Sequence, residues 1–192
     1  VAGDGPIRRL PDGEPEPWEG HGDLALLDHE DPRTAELVVD VMNHWLDRGI
    51  AGWRLDVAYS VPARFWAKVV DRVRGQHPDA VFLGEIIHGD YLELVEEGHL
   101  DTVTQYELWK AVWSSIKDVN FWELEHALTR HDEFVAQAPM QTFVGNHDVD
   151  RIASVVGPEG AALAAVLLFT LPGIPSINYG DEQAFTGVKG EG

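Results

Sequence analysis

At 192 residues, with 14 Lys and Arg against 33 Asp and Glu and a net charge of −19, the chain has the length of one domain or of a piece of a larger one. Its 44% hydrophobic and 24% charged content is that of a folded protein rather than a disordered one. The scarcity of Lys and Arg argues against nucleic acid and anionic membranes as partners, and the absence of cysteine removes disulfides, thiolate catalysis and Cys-ligated zinc.

The start, Val1-Ala-Gly-Asp-Gly-Pro6, has no basic region followed by an apolar one, so no signal peptide is read there and a cytoplasmic location is expected. Residue 1 is not Met, so the native start need not lie here. The first 23 residues hold several Gly and Pro with little apolar periodicity and read as loop. From Pro32 the spacing of Leu37, Val38, Val41, Met42, Trp45 and Leu46 predicts a helix, stopped near Gly49. Ile50-Ala-Gly-Trp-Arg-Leu-Asp56 reads as a strand ending in an acid. A second helix runs over residues 62–74 through Phe65, Trp66, Val69, Val70 and Val73.

The alternation repeats. Strands are expected near 80–85, 101–104, 141–144 and 175–179, and helices over 91–97, 108–116, 121–128 and 161–171. The apolar run at residues 160–171 is too short to span a bilayer. Connections too long for hairpins imply five parallel strands with crossover helices. Spacing alone leaves open whether they form a doubly wound sheet or part of a barrel.

Polar residues gather at the C-terminal strand ends, the edge at which parallel α/β folds bind ligands. Arg54 and Asp56, two apart on a strand, face one side, and the guanidinium would keep that carboxylate ionised as a nucleophile requires. Glu85 lies between Val81-Phe-Leu83 and Ile86-Ile87, an apolar setting suited to a general acid. Asn146-His147-Asp148 closes the fourth strand. Acids at converging strand ends invite a glycosidase reading, in which one attacks, one donates a proton and others stabilise charge. Solvated surface charge, helix capping by Asp56 or Asp148 and a structural Arg-x-Asp pair are the bland alternatives. No second His stands at ligand spacing from His147, so zinc is not expected.

Gly52-Trp-Arg54-Leu-Asp56-Val-Ala58 resembles the strand-four motif of the alpha-amylase family of glycoside hydrolases. Phe82-Leu-Gly-Glu85 is similar to its strand-five motif, Phe143-Val-Gly-Asn-His147-Asp148 to its strand-seven motif, and Gly173-Ile-Pro-Ser-Ile-Asn-Tyr-Gly-Asp-Glu182 to its strand-eight segment. The four occur in order over residues 24–186. The resemblance implies an α/β fold of (β/α)8 TIM-barrel type, of which this chain covers strands four to eight. Residues 1–23 would be a loop excursion and residues 24–192 the second half of the catalytic barrel.

The resemblance also implies an α-retaining hydrolase acting on maltodextrin-like or small α-glucoside substrates. Asp56 would be the nucleophile, Glu85 the acid and then base, and Asp148 a holder of sugar hydroxyls. Arg54 would orient Asp56, while His147, Asn146 and His88 would contact substrate. An isomerase or transglycosylase of the same family, or a catalytically silent fragment, are the alternatives. No cofactor is required. Calcium belongs to some relatives, but Tyr59-Ser60 stands where starch-degrading members place Lys-His, so its usual motif is unmatched. Ile87 stands where maltodextrin-acting members place Trp, and the strand-three Asn-His motif is absent upstream. Trp53 points away from Asp56 toward the core, while Tyr59, Tyr106 and Trp109 are freer candidates for sugar platforms, each better read as packing than as sugar stacking.

Overall fold

The computed structural model describes residues 5–190; residues 1–4 and 191–192, including most of the stretch read for a signal peptide, lie outside the described residues. The segment expected as loop carries a short antiparallel hairpin, β1 (Pro17–Trp18) and β2 (His21–Ala25), with bridges Ile7 to Leu27 and Arg9 to Pro15 extending it. Glu19 and Gly20 both take positive φ at its turn, the backbone that a tight two-residue hairpin needs. All of β2 is solvent-exposed, so it lacks the alternation that marks a half-buried strand.

Helix α1 (Pro32–Leu46) starts at Asp31, whose side chain accepts from the Arg33 backbone N–H, and has Pro32 in its first turn. It buries Ala35, Val39, Met42 and Leu46, whereas Leu37, Val41 and Trp45 form a second apolar stripe that is about half exposed. The apolar residues expected to make one face thus divide between two. Helix α2 (Ala63–Arg74) buries all five of the apolar positions expected of it.

Five parallel strands follow: β3 (Gly52–Leu55), β4 (Val81–Gly84), β5 (Thr102–Val103), β6 (Gln141–Phe143) and β7 (Ile174–Ser176). Gly52 pairs with Val81, Leu83 with Thr102, and Gln141 with Ile174, while a Thr104–Gln141 bridge joins the two sheets. The spatial order is therefore the sequence order, without the reversal of a doubly wound sheet. With right-handed crossovers, that order puts every connecting helix on one side, as in an arc of barrel. A Cβ at Gly52 would collide with the Val81 carbonyl oxygen, so only glycine permits this approach of β3 to β4.

The helices between these strands are α3 (Glu93–Glu96), α4 (Tyr106–Asp118), α5 (Trp122–Val135) and α6 (Ile152–Thr170). Val119 takes left-handed backbone at the break between α4 and α5. Helix α5 runs nearly two turns past its expected end, and polar residues 129–133 hide the reason. Phe134 is buried there, and fully buried His131 donates through Nε2 to the Pro172 carbonyl at 2.7 Å. Helix α6 begins earlier than expected because a short helical piece precedes Gly157, whose φ of 75° kinks the run at Pro158. It is long and apolar enough to span a membrane by length and composition, although it is kinked.

Two cores hold these layers. One joins β3, β4 and β5 to α1, α2 and α3 through Leu55, Phe82, Val103, Val69, Val70 and Met42. The other lies among α4, α5 and α6, around Leu108, Val112, Leu124, Ile152 and Ala164. At the N-terminal edge of the sheet, Arg74 grips Asp101 with two bonds of 2.7 Å, and Asp101 accepts from the Phe82 N–H. Apolar surfaces that stay open include the Leu37–Val41–Trp45 stripe of α1, and Leu163, Val166 and Phe169 on α6.

Candidate active site

The C-terminal ends of β3, β4, β5 and β6 converge, and each contributes one part of a polar cluster. Strand β3 delivers Arg54, and Asp56 follows its last residue; the guanidinium pairs with the Asp56 carboxylate. The same guanidinium reaches Glu85 Oε1 at 2.8 Å, just past the end of β4. The two acids are unlike: the Asp56 side chain is 73% exposed and that of Glu85 3%.

Glu85 is not in the apolar pocket that its flanking sequence suggests. Besides Arg54, it accepts from the Val57 backbone N–H at 3.0 Å through Oε2 and from the Tyr106 hydroxyl at 3.3 Å through Oε1. The apolar neighbours Val81, Leu83, Ile86 and Ile87 describe the strand, whereas the donors come from three other segments. Val57 takes left-handed backbone, unusual for a β-branched residue, and this turn aims its N–H at the carboxylate. A short 3-10 helix, Ala58–Ser60, backs the turn; Ser60 Oγ donates to the Val57 carbonyl and Trp66 Nε1 to that of Ala58. Thr104, at the end of β5, clamps the next residue, with Oγ1 accepting from the Ile86 N–H and donating to the Ile86 carbonyl.

Beyond β6, Asn146 donates from Nδ2 to the Tyr106 hydroxyl at 2.8 Å and accepts the Asp148 N–H at Oδ1. Its amide is thus engaged at both ends within the protein. Asp148 Oδ2 lies 3.0 Å from His147 Nε2, and Oδ1 lies 3.5 Å from Lys189 Nζ, which crosses from the C-terminal segment. Beneath this loop, buried Asp181 pairs with Arg151 at 3.0 Å, and Arg151 also donates to the Tyr179 carbonyl. Gly145 lies so close that a Cβ there would meet Asp181 Oδ2 at 2.5 Å.

A cavity of about 300 Å³ opens here, lined by Arg54, Glu85, Asn146, His147 and Asn178 among others. Arg54, Asp56, Glu85, Asn146, His147 and Asp148 are thus brought into one connected cluster. His88 is not in it. Its ring packs edge-on against Tyr59 at 4.9 Å, lining a separate cavity of about 550 Å³ with Ser60, Asp90 and Glu93. Burial, with Glu19, Glu85 and Asp56 adding negative charge, pushes the Tyr59 phenol up.

Tyr106 is the residue whose place the sequence conceals. Named as a candidate sugar platform but read first as packing, it is buried, its ring edge-on to Phe143 and Trp109, and burial pushes its phenol up to about 12. The available signal was position: it stands two residues past Thr104, at the same sheet edge as the acids. Trp53 packs against the core, as its alternation predicts. Among the described residues no group of three or more His, Asp and Glu side chains is gathered to hold a metal ion.

A family model described as the alpha amylase catalytic domain matches residues 19–191. The chain is 34% identical over 172 residues to a maltogenic alpha-amylase from Bacillus acidopullulyticus, covering 85% of this chain and 29% of that one. It is 31% identical over 176 residues to a 4-alpha-glucanotransferase from Thermotoga neapolitana, covering 84% of this chain and 37% of the relative. The ligand-free cyclic alpha-maltosyl-(1→6)-maltose hydrolase from Arthrobacter globiformis superposes with a TM-score of 0.82 at 27% identity, covering 97% of this chain and 44% of that chain. The chain therefore spans less than half the length of each.

Proposed function

Because the chain belongs to the alpha-amylase catalytic-domain family, we propose that its parent protein hydrolyses α-glucosidic bonds of maltodextrin-like substrates with retention of configuration. The family implies a TIM barrel, and this chain supplies strands four to eight of it, residues 24–192 forming the second half. The open stripes on α1 and α6 support this reading, since neighbouring barrel helices would cover both.

One observation carries the chemistry: a single guanidinium holds both Asp56 and Glu85 at adjacent strand ends, one acid open to solvent and the other buried. Unlike surroundings for two carboxyl groups are what acid and nucleophile roles require. In the first step an Asp56 oxygen attacks the anomeric carbon, and the bond to the leaving oxygen breaks as Glu85 gives that oxygen its proton. In the second, Glu85 takes a proton from water, whose oxygen displaces Asp56 from the sugar. Asp148 and His147 hold hydroxyls of the reacting sugar. Arg54, paired with Asp56, aims its carboxylate. Asn146 acts from behind, and His88, across at Tyr59, meets sugar on the far side of the turn after β3.

The similarity to a glucanotransferase favours one second reading, in which a sugar hydroxyl replaces water in the second step. Both readings are tested together in the full-length protein. Asp56→Ala should lower maltotetraose turnover by at least roughly a thousandfold, and turnover within a few-fold of the parent defeats the assignment. With the parent protein in 18O-water, label in the released sugar marks hydrolysis, and unlabelled longer oligosaccharides mark transfer.

A further inference from the structure

The hydrogen bonds around Glu85 have directions that the donors and acceptors themselves settle. Asn146 Oδ1 accepts the Asp148 backbone N–H at 2.8 Å. The amide end facing Tyr106 is therefore Nδ2, a donor only, and it gives its hydrogen to the phenol oxygen at 2.8 Å. With its phenol pushed up to about 12 by burial, Tyr106 keeps its own hydrogen at any ordinary pH. That hydrogen is left to point at Glu85 Oε1, 3.3 Å away.

Arg54 Nη2 lies 2.8 Å from the same oxygen as an ion pair. The Tyr106 hydrogen aimed at Oε1 and the guanidinium charge beside it both disfavour a proton there. Oε2 receives only the Val57 N–H at 3.0 Å and keeps one lone pair open. A proton arriving on this carboxylate is therefore better placed on Oε2, the oxygen away from the guanidinium charge.

We propose that Tyr106, oriented by Asn146, is a positioning residue that locks Glu85 Oε1 as an acceptor and reserves Oε2 for the proton transferred in catalysis. This rests on the acid/base reading of Glu85 given above. The same chain ties the acid on β4 to the loop after β6, because Asn146 is bonded at once to Tyr106 and to the Asp148 backbone. The ring has a separate task. It packs on Phe143 at 4.8 Å and Trp109 at 5.7 Å, so phenylalanine would keep the packing and lose only the oxygen.

The test is Tyr106→Phe in the full-length protein, read as kcat/KM on two donors. Maltotetraose has a sugar leaving group that must be protonated, whereas α-maltosyl fluoride departs without an acid. The value for maltotetraose should fall roughly 10- to 100-fold, the scale of one hydrogen bond to a charged group, and that for the fluoride should stay within about threefold. Equal loss on both donors would mean a merely structural role, and no loss on either would mean no role; either result overturns the proposal. Asn146→Asp supplies a second variant, because a carboxylate there attracts the phenol hydrogen away from Glu85 and should reproduce the same split. Glu85→Gln separates the two claims. If it treats both donors alike, the acid reading fails; if it splits them and Tyr106→Phe does not, only the positioning role fails.

Discussion

Arg54 and Glu85 stand on neighbouring parallel strands, and the guanidinium Nη2 meets the carboxylate Oε1 at 2.8 Å across the β3–β4 ladder. The sequence pairs Arg54 with Asp56 alone, but the parallel register sets Leu55 beside Gly84, which brings the next residue of each strand, Asp56 and Glu85, level with one another. One cation thus serves two acids. The partner that gains most is the buried one, since a carboxylate out of water depends on the charge beside it.

Arg54→Met should accordingly destabilise the protein by about 3 kcal/mol, the cost of leaving a buried charge without its partner. Combined with Glu85→Gln, which removes that charge, the loss should be smaller than the sum of the two single losses. Urea unfolding of the four proteins measures the coupling, expected at about 1 kcal/mol or more. Strict additivity would refute the pairing.

Gly145→Ala tests the support under the β6 loop. The added methyl would press on buried Asp181 Oδ2 at 2.5 Å and part it from Arg151, which also holds Tyr179. The expected cost is about 1–3 kcal/mol, with activity reduced at least roughly tenfold because His147 and Asp148 ride on this loop. Gly84→Ala would press instead on Leu100 Cδ1, a buried core side chain, and should cost stability by overpacking on the same scale while leaving the Asp181–Arg151 pair intact. Thermal melts compare the two.

Asp101→Ala should separate stability from activity. The residue binds Arg74 and the Phe82 N–H at the sheet edge opposite the acids. Its loss should cost about 1–2 kcal/mol, discounted for partial exposure, and leave kcat/KM unchanged when assayed well below the melting temperature. A changed kcat/KM would mean that the two edges are coupled.

His29 gives the fold a pH dependence of known sign. Burial, opposed by the neighbouring Asp28 and Glu30 charges, holds its imidazole below the ordinary value of 6.5, and its ring rests 4.9 Å from that of Phe65. A lowered folded value means that the unfolded chain takes up the proton first as pH falls. Stability from this group is complete above pH 6.5 and declines below it, down to the folded value. His29→Phe should flatten the urea midpoint against pH between about 7 and 5. An unchanged slope would assign the acid sensitivity to other groups.

Much of the fold was legible in the chain, for reasons visible in particular residues. The helical spacing of Phe65, Trp66, Val69, Val70 and Val73 marked α2 because all five enter one core. Strands β3 and β4 showed as short runs ended by an acid and β6 as one ended by Gly145, whereas Asp101-Thr-Val-Thr104 was marked only by its β-branched residues. The division of α1 into a buried and an open stripe was not legible, because Leu37 and Val39 are equally apolar in composition and only neighbours tell them apart. The hairpin before α1 was hidden for the opposite reason: β2 is exposed and β1 only half-buried, so it rests on backbone bonds and one turn.

The site divides along the same line. By itself the sequence determined which acids stand at strand ends, their order along the chain and the family to which they belong, because local alternation and motif spacing are properties of contiguous residues. Only the tertiary structure decided what surrounds those acids. Glu85 lies in a run of apolar residues, yet its oxygens meet Arg54, Val57 and Tyr106. Tyr106 reads as a packing aromatic, yet its hydroxyl links Glu85 to Asn146, 40 residues further on. The 192 residues and 33 acids of the opening count could not single out one buried carboxylate. Its burial and its donors come from segments that meet only when parallel strands align, and a hydrogen bond depends on distance and direction in space rather than separation along the chain.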